Sequence, residues 1–155
     1  MAGHDRETAD GKWWKQQIRE LKKLEVRVGY QQGRDVSKKG VDLAEIAMWN
    51  ELGTVNSPPR PFLRQSVDSN ASMITAMCKS QLQLLASKKT DARGVLNQLG
   101  IMQRGFIQKT IKEGEFEPNA PSTIRKKHSD KPLIASGYMR QFVNYVIVPR
   151  GGGGG

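Results

Sequence analysis

With one cysteine, Cys78, in 155 residues, this chain can close no disulfide within itself and cannot supply a zinc ribbon or finger. Histidine is almost as scarce. His4 and His128 lie far apart in polar stretches, which argues against a Cys–His pair or a His-rich metal site. Cys78 falls among apolar residues at helical spacing and is expected to be a buried thiol. Long apolar runs are missing too. Nothing approaches the ~18–20 residues of a membrane span, and the opening MAGHDRETADGKWWK has no apolar signal-peptide core. The expectation is a soluble protein that stays in the compartment where it is made, with no membrane partner.

Catalytic patterns are absent as well. There is no P-loop and no GxGxxG, and Gly29-Tyr-Gln-Gln-Gly33 is only a loose glycine pair with no helix start behind it. Asp42, Glu45 and Glu51 are accounted for by helix capping and a solvated helix face. Glu113, Glu115 and Glu117 alternate along a loop, and a polar loop is the plainer reading of them than a cation site. Asp130 near His128 makes a general base conceivable, but a polar loop explains both. The expectation is therefore no enzyme, no cofactor and no metal.

What the chain has in excess is positive charge: 25 Lys and Arg against 15 Asp and Glu, a net +10. Such a balance favours contact with a polyanion or an acidic protein surface. The basic clusters are Lys22-Lys23, Lys38-Lys39, Lys88-Lys89 and Arg125-Lys126-Lys127. They are scattered and no aromatics interleave them, so sequence-specific readout is not indicated. Non-specific attraction to phosphates fits, with Lys38, Lys39, Arg125, Lys126 and Lys127 the candidate DNA-facing residues.

Hydropathy periods divide the chain into a polar N-terminal arm (1–12), one domain (13–150) and a Gly-rich tail (151–155). Trp14, Ile18 and Leu21 predict a helix over 13–23. Leu24, Val26, Val28 and Tyr30 alternate with other residues and predict a half-buried strand. Asp42 followed by Glu45 is a capping-box spacing, and Gly53 supplies a helix stop, which predicts a helix over 42–52 with Leu43, Ile46 and Ala47 inward. Pro58, Pro59 and Pro61, three prolines in four residues, predict a stiff extended loop. The stripe Leu63, Val67, Ala71, Ile74, Cys78, Leu82 and Leu85 predicts one long helix over 62–89. A second long helix is expected over 91–113, with Val95, Leu99, Met102 and Phe106 inward. Gly94, Gly100 and Gly105 lie within it, each costing ~1 kcal/mol against alanine unless backbones pack closely there. A loop with one helical turn after Pro121-Ser122, and another turn over 136–140, come next. The run 141–148 reads as a strand buried on both faces or at an interface. The sum is α+β: a small antiparallel sheet of the two terminal strands, packed against two long helices.

Trp13-Trp14 stands out beside the polar arm. Adjacent residues project about 100° apart on a helix, so one tryptophan can belong to the core while the other meets a partner.

Two segments carry a family resemblance. One is Met48-Trp-Asn-Glu-Leu-Gly-Thr54 followed by Pro58-Pro-Arg-Pro-Phe-Leu-Arg64. The other is Glu117-Pro-Asn-Ala-Pro-Ser-Thr-Ile-Arg-Lys-Lys127 followed by Lys131-Pro-Leu-Ile-Ala-Ser-Gly-Tyr-Met-Arg140 and a strand-like ending. In order and spacing, from about Val26 to Val148, the chain resembles the tail-completion or neck proteins of long-tailed bacteriophages, including lambda Z-like minor tail components. Ala135-Ser136 departs from that pattern, where the family has Asp-Thr; Ser136 can still cap the following turn. The resemblance implies an α+β subunit of a ring, commonly a hexamer, in the virion at the head–tail junction. Its partners there would be head-closure or connector proteins on one side and tail terminator or tail-tube proteins on the other, around the DNA channel. A tail terminator ring protein and a small basic DNA-binding or packaging protein are the alternative readings.

The loop before the first long helix is the candidate docking element: Pro58, Pro59, Arg60, Pro61, Phe62 and Arg64, together with Trp13 and Trp14. Prolines lower the entropy lost when a partner fixes a loop. Arg60 and Arg64 flank Pro61-Phe62-Leu63, a pattern suited to an acidic, partly apolar surface. Alternatively, Phe62 and Leu63 begin a core helix and the arginines are solvated.

Overall fold

A computed structural model describes residues 8–30, 42–53, 55, 58–113 and 137–151. Along these the elements are α1 (Ala9–Lys23), β1 (Leu24–Gly29), α2 (Leu43–Leu52), α3 (Phe62–Asp68), α4 (Ala71–Ala86), α5 (Ala92–Glu113), α6 (Gly137–Gln141) and β2 (Asn144–Pro149). The expectations for His4, Lys38, Lys39, Glu115, Glu117, the turn after Pro121-Ser122, Arg125, Lys126, Lys127, His128, Ala135-Ser136 and residues 152–155 lie outside the described residues.

The architecture is α+β. β1 and β2 pair antiparallel from Leu24 opposite Pro149 to Gly29 opposite Asn144, and both strands pack on α5. This helix is the spine of the fold, touching α1, α3, α4, α6 and both strands. At one end its Ile107 and Ile111 join Leu43, Ala47, Phe62, Met139 and Val143 in a buried cluster. Towards its start, Ala92, Val95 and Leu96 are buried with Leu85 of α4.

The face of α5 is broader than its sequence suggests. Leu99, Met102 and Phe106 are only half-buried, while Ala92, Leu96, Gly100, Ile107 and Ile111 are buried beside Val95. A helix packed on several sides has no single inward stripe, so periodicity marks only part of its buried surface. All three glycines sit inside the unbroken helix. At Gly100 the reason is a side chain rather than a neighbouring backbone: an added Cβ would run into the Tyr145 ring at Cδ2. The Tyr145 ring lies across this face. Its hydroxyl donates to Asn97 Oδ1 (3.3 Å), and the Arg104 guanidinium sits 5.4 Å from the ring centroid.

The long helix expected over 62–89 is two helices, broken at Ser69 and Asn70. Asn70 Nδ2 donates back to Ser66 O (2.7 Å), and Ser66 Oγ donates to Leu63 O (2.6 Å). Asp68-Ser69-Asn70 is a run of side chains that compete with the helical backbone, and that was the readable signal. The stripe changes accordingly. Val67 and Leu82 are exposed, Gln81 is buried, and Cys78 is half-buried rather than buried.

Further corrections concern the termini. The helix expected from 13 begins at Ala9, because Thr8 Oγ1 accepts from Gly11 N (2.9 Å) and caps it. Residues 9–12 are therefore helix, not arm. The last strand starts at Asn144, and Tyr145 to Val148 are half-buried rather than buried on both faces. A two-stranded sheet has one helix-covered side, which cannot enclose both faces of a strand. Val143, just before it, does reach the core.

Candidate docking surface

The site is built on α2 and the chain that follows it. Asp42 Oδ1 accepts from Ala44 N (3.1 Å), so Asp42 caps the helix as expected, through the N2 amide rather than the N3 amide of a capping box. Leu43 and Ala47 point into the core. The helix stops at Gly53, whose φ of +78° lies in the region that favours glycine and whose N–H donates to Trp49 O (2.8 Å). Glycine is required there on a second count: a Cβ would lie 2.9 Å from Pro59 N.

That contact brings the proline loop back alongside α2. Arg60 N donates to Asn50 O. The Glu51 carboxylate then reaches over to α3, accepting from Leu63 N through Oε1 and from Arg64 N (3.4 Å) through Oε2. Pro61, at the N-cap position of α3, has no side-chain cap of its own to offer. Glu51 thus satisfies orphan amides of a helix start from twelve residues away in sequence. The two halves of the first resembling segment form one clasp. Burial pushes the Glu51 carboxyl above its ordinary range, and this outweighs the two backbone hydrogen bonds and the Arg64 charge that pull it down. Burial also pushes the Arg60 guanidinium below its ordinary value, and its Nε is buried with no hydrogen-bond partner.

Outside the clasp lies an apolar groove of about 370 Å³, lined by Val28, Gly29 and Tyr30 at the end of β1, by Met48, Glu51 and Leu52 of α2, and by Leu63. Next to it Met48, Trp49, Leu52 and Val55 are all exposed, Leu52 to 72%. Met48, Trp49 and Leu52 fall within an arc of about 100° on α2, so these three exposed apolar side chains share one side of the helix, with Val55 just beyond its end.

The expected docking residues divide. Pro58, Pro59 and Arg64 are exposed, and Arg60 and Pro61 are half-buried. Phe62 is corrected outright: it is 0% exposed and meets Tyr30 edge-on at 6.3 Å, so it is core and not a docking group. The two tryptophans divide, projecting about 100° apart on the helix. Trp13 Nε1 donates to Leu85 O (2.8 Å), which commits that ring to the interior, while Trp14 is exposed. They sit on α1, which packs against α4, α5 and β1 rather than forming part of the clasp. The residues missed in the sequence are Met48, Trp49, Leu52 and Val55. Their signal was an α2 apolar on both faces, which in a short helix marks either complete burial or an exposed face to be covered.

Among the described residues no three His, Cys, Asp or Glu side chains gather where they could hold a metal ion. None of the described helices is long and apolar enough to cross a membrane. No family model matches the chain, and no curated protein or solved structure is significantly similar to it.

Proposed function

We propose that this chain is a structural subunit of a bacteriophage neck: a tail-completion protein, working in a ring, six-fold by resemblance, that joins the tail to the head-side connector around the DNA channel. The resemblance in motif order supplies the family. One observation carries the docking part: the segment Met48–Arg64 folds into a clasp with Met48, Trp49, Leu52 and Val55 exposed along its outer side. Arg64 stands exposed on the same unit. The partner that fits is the adjoining neck protein, through a surface that is apolar at its centre and acidic at its rim. Buried apolar contact would supply the affinity and the arginine the orientation. The role is structural, with no chemistry performed on a substrate.

The test is Trp49→Ser combined with Leu52→Ser. The expected result is a variant that melts like the parent but leaves heads and tails unjoined. Normal joining would remove the docking role from this face. A density map of the neck showing a single copy of the chain, or an open filament, would remove the ring.

A further inference from the structure

Charge on α1 is sorted by face. Lys12, Lys15, Arg19, Lys22 and Lys23 follow at steps of three, four, three and one. On a helix of 3.6 residues per turn these five fall within an arc of about 100°. All five are exposed. The two acids of α1 lie off this stripe. Asp10 pairs with Lys88 (2.9 Å), and Glu20, at the stripe's edge, makes no ion pair with Lys23.

The opposite face is pinned. Trp13 Nε1 donates to Leu85 O (2.8 Å). Gln17 is buried, and its Oε1 accepts from Ala92 N (2.7 Å) at the start of α5. These bonds prevent the helix from rotating, so the cations are held outward on a rigid rod rather than on a loop. At its C-terminal end Arg150 adds a sixth positive charge, donating through Nη2 to Leu21 O and Leu24 O (3.4 Å each).

The helix macrodipole accounts for Lys22 and Lys23, which sit in the last turn. Lys15 already has a partner. The dipole does not account for Lys12, beside it in the N-terminal half where positive charge is unfavourable. A ligand does. The stripe from Lys12 to Lys23 is about 16 Å long, the rise of roughly five base pairs of one DNA strand. Its chemistry is point charge, four lysines and one arginine; the exposed Trp14 lies to one side, about 80° round the helix from Lys22. Single-strand binders stack successive bases on several aromatic rings, and one tryptophan beside the stripe does not supply that.

We propose that the α1 stripe is a duplex-DNA contact surface, gripping the phosphate backbone without reading sequence. It rests on the neck reading only for the presence of a duplex in the channel. Binding by the purified chain tests it without virions, so its failure leaves the neck reading standing.

The experiment is fluorescence anisotropy with a duplex of ~30 base pairs between about 50 and 200 mM salt, with a single strand of equal length as a second probe. The full chain is compared with Lys12→Gln/Arg19→Gln/Lys22→Gln and with a control of equal charge change, Arg93→Gln/Lys109→Gln/Lys112→Gln on exposed positions of α5. The parent is expected to bind duplex more tightly than single strand, with a steep salt slope. The α1 variant should lose about 10-fold or more in affinity at low salt and about 2–3 from the slope, near 0.9 per phosphate contact removed. The α5 control should lose clearly less of both. Equal losses in the two variants, preference for the single strand, or no duplex binding by the parent would each overturn the proposal. Melting curves of both variants establish that the fold is retained.

Discussion

Helices α1 and α2 are held to the same molecule in similar ways and show solvent opposite chemistries. Each fixes one face inward, α1 through Trp13 and Gln17, α2 through Leu43 and Ala47. Outward, α1 shows lysines and an arginine, whereas α2 shows Met48, Trp49 and Leu52. The contrast teaches how differently a sequence advertises its two kinds of surface. A charged face stands out against an apolar one by periodicity. An apolar outward face does not, because it merges with the apolar inward face and leaves no contrast to read.

If inner contacts hold the molecule and outer faces serve partners, substitutions should separate cleanly by face. The largest effect is expected at the inner side of the clasp. Phe62→Ala removes a fully buried ring from the cluster with Ile107, Ile111 and Met139, and should cost about 3–5 kcal/mol in denaturant unfolding. A loss below about 1 kcal/mol would show Phe62 to be dispensable to the core and would reopen its docking role.

On the α1 side, Gln17→Ala leaves the buried Ala92 N–H without its acceptor. Chemical denaturation should register about 1–3 kcal/mol. An unchanged midpoint would mean that α1 is not pinned as described, and the rigidity of its cationic face would go with it.

Glu51 gives a smaller effect with a pH signature. Its carboxyl titrates above the ordinary range because burial dominates. The folded state therefore binds this proton more tightly than the unfolded state. The group's contribution to stability is fully present below the ordinary carboxylate pKa and is lost as pH rises through the raised value. Glu51→Gln keeps an acceptor for Leu63 N but cannot ionise. Relative to the parent, the variant should gain as pH rises from about 4 to 7, by under roughly 1 kcal/mol for a capping site of this kind. Thermal melts across that range check it, and a parent–variant difference independent of pH contradicts it.

The smallest effect on stability belongs to the outer faces. Trp49→Ser, and likewise Lys12→Gln, should stay within about 0.5 kcal/mol of the parent in the same melts. A larger loss for Trp49→Ser would mark α2's outer side as structural and erase the contrast with α1.

Much of this fold was legible in advance, and for one reason: the deciding interactions are local. Asp42 before α2, Gly53 after it and the alternation of Leu24, Val26 and Val28 act through neighbours within a few residues. The start of α1 at Ala9 and the break at Ser69-Asn70 were written just as locally, in Thr8 and in Asp68-Ser69-Asn70, although the apolar stripe masked the second. The site was only half legible. Pro58–Arg64 was marked by its prolines, but Phe62, equally apolar and equally close to the arginines, turned inward.

By itself, then, the sequence determined the order and type of most elements, that the two terminal strands belong to an α+β domain, and that positive charge dominates. Only the tertiary structure decided which apolar residues remain outside. It alone set Glu51 of α2 to cap α3, Gln17 of α1 to cap α5, and the Tyr145 ring against Gly100. The physical reason is distance along the chain. A local cap or a turn is chosen by the next few residues, whereas burial, and a cap lent by another element, are chosen by whichever distant segment arrives. Nothing within Met48–Val55 says that no described segment covers theirs.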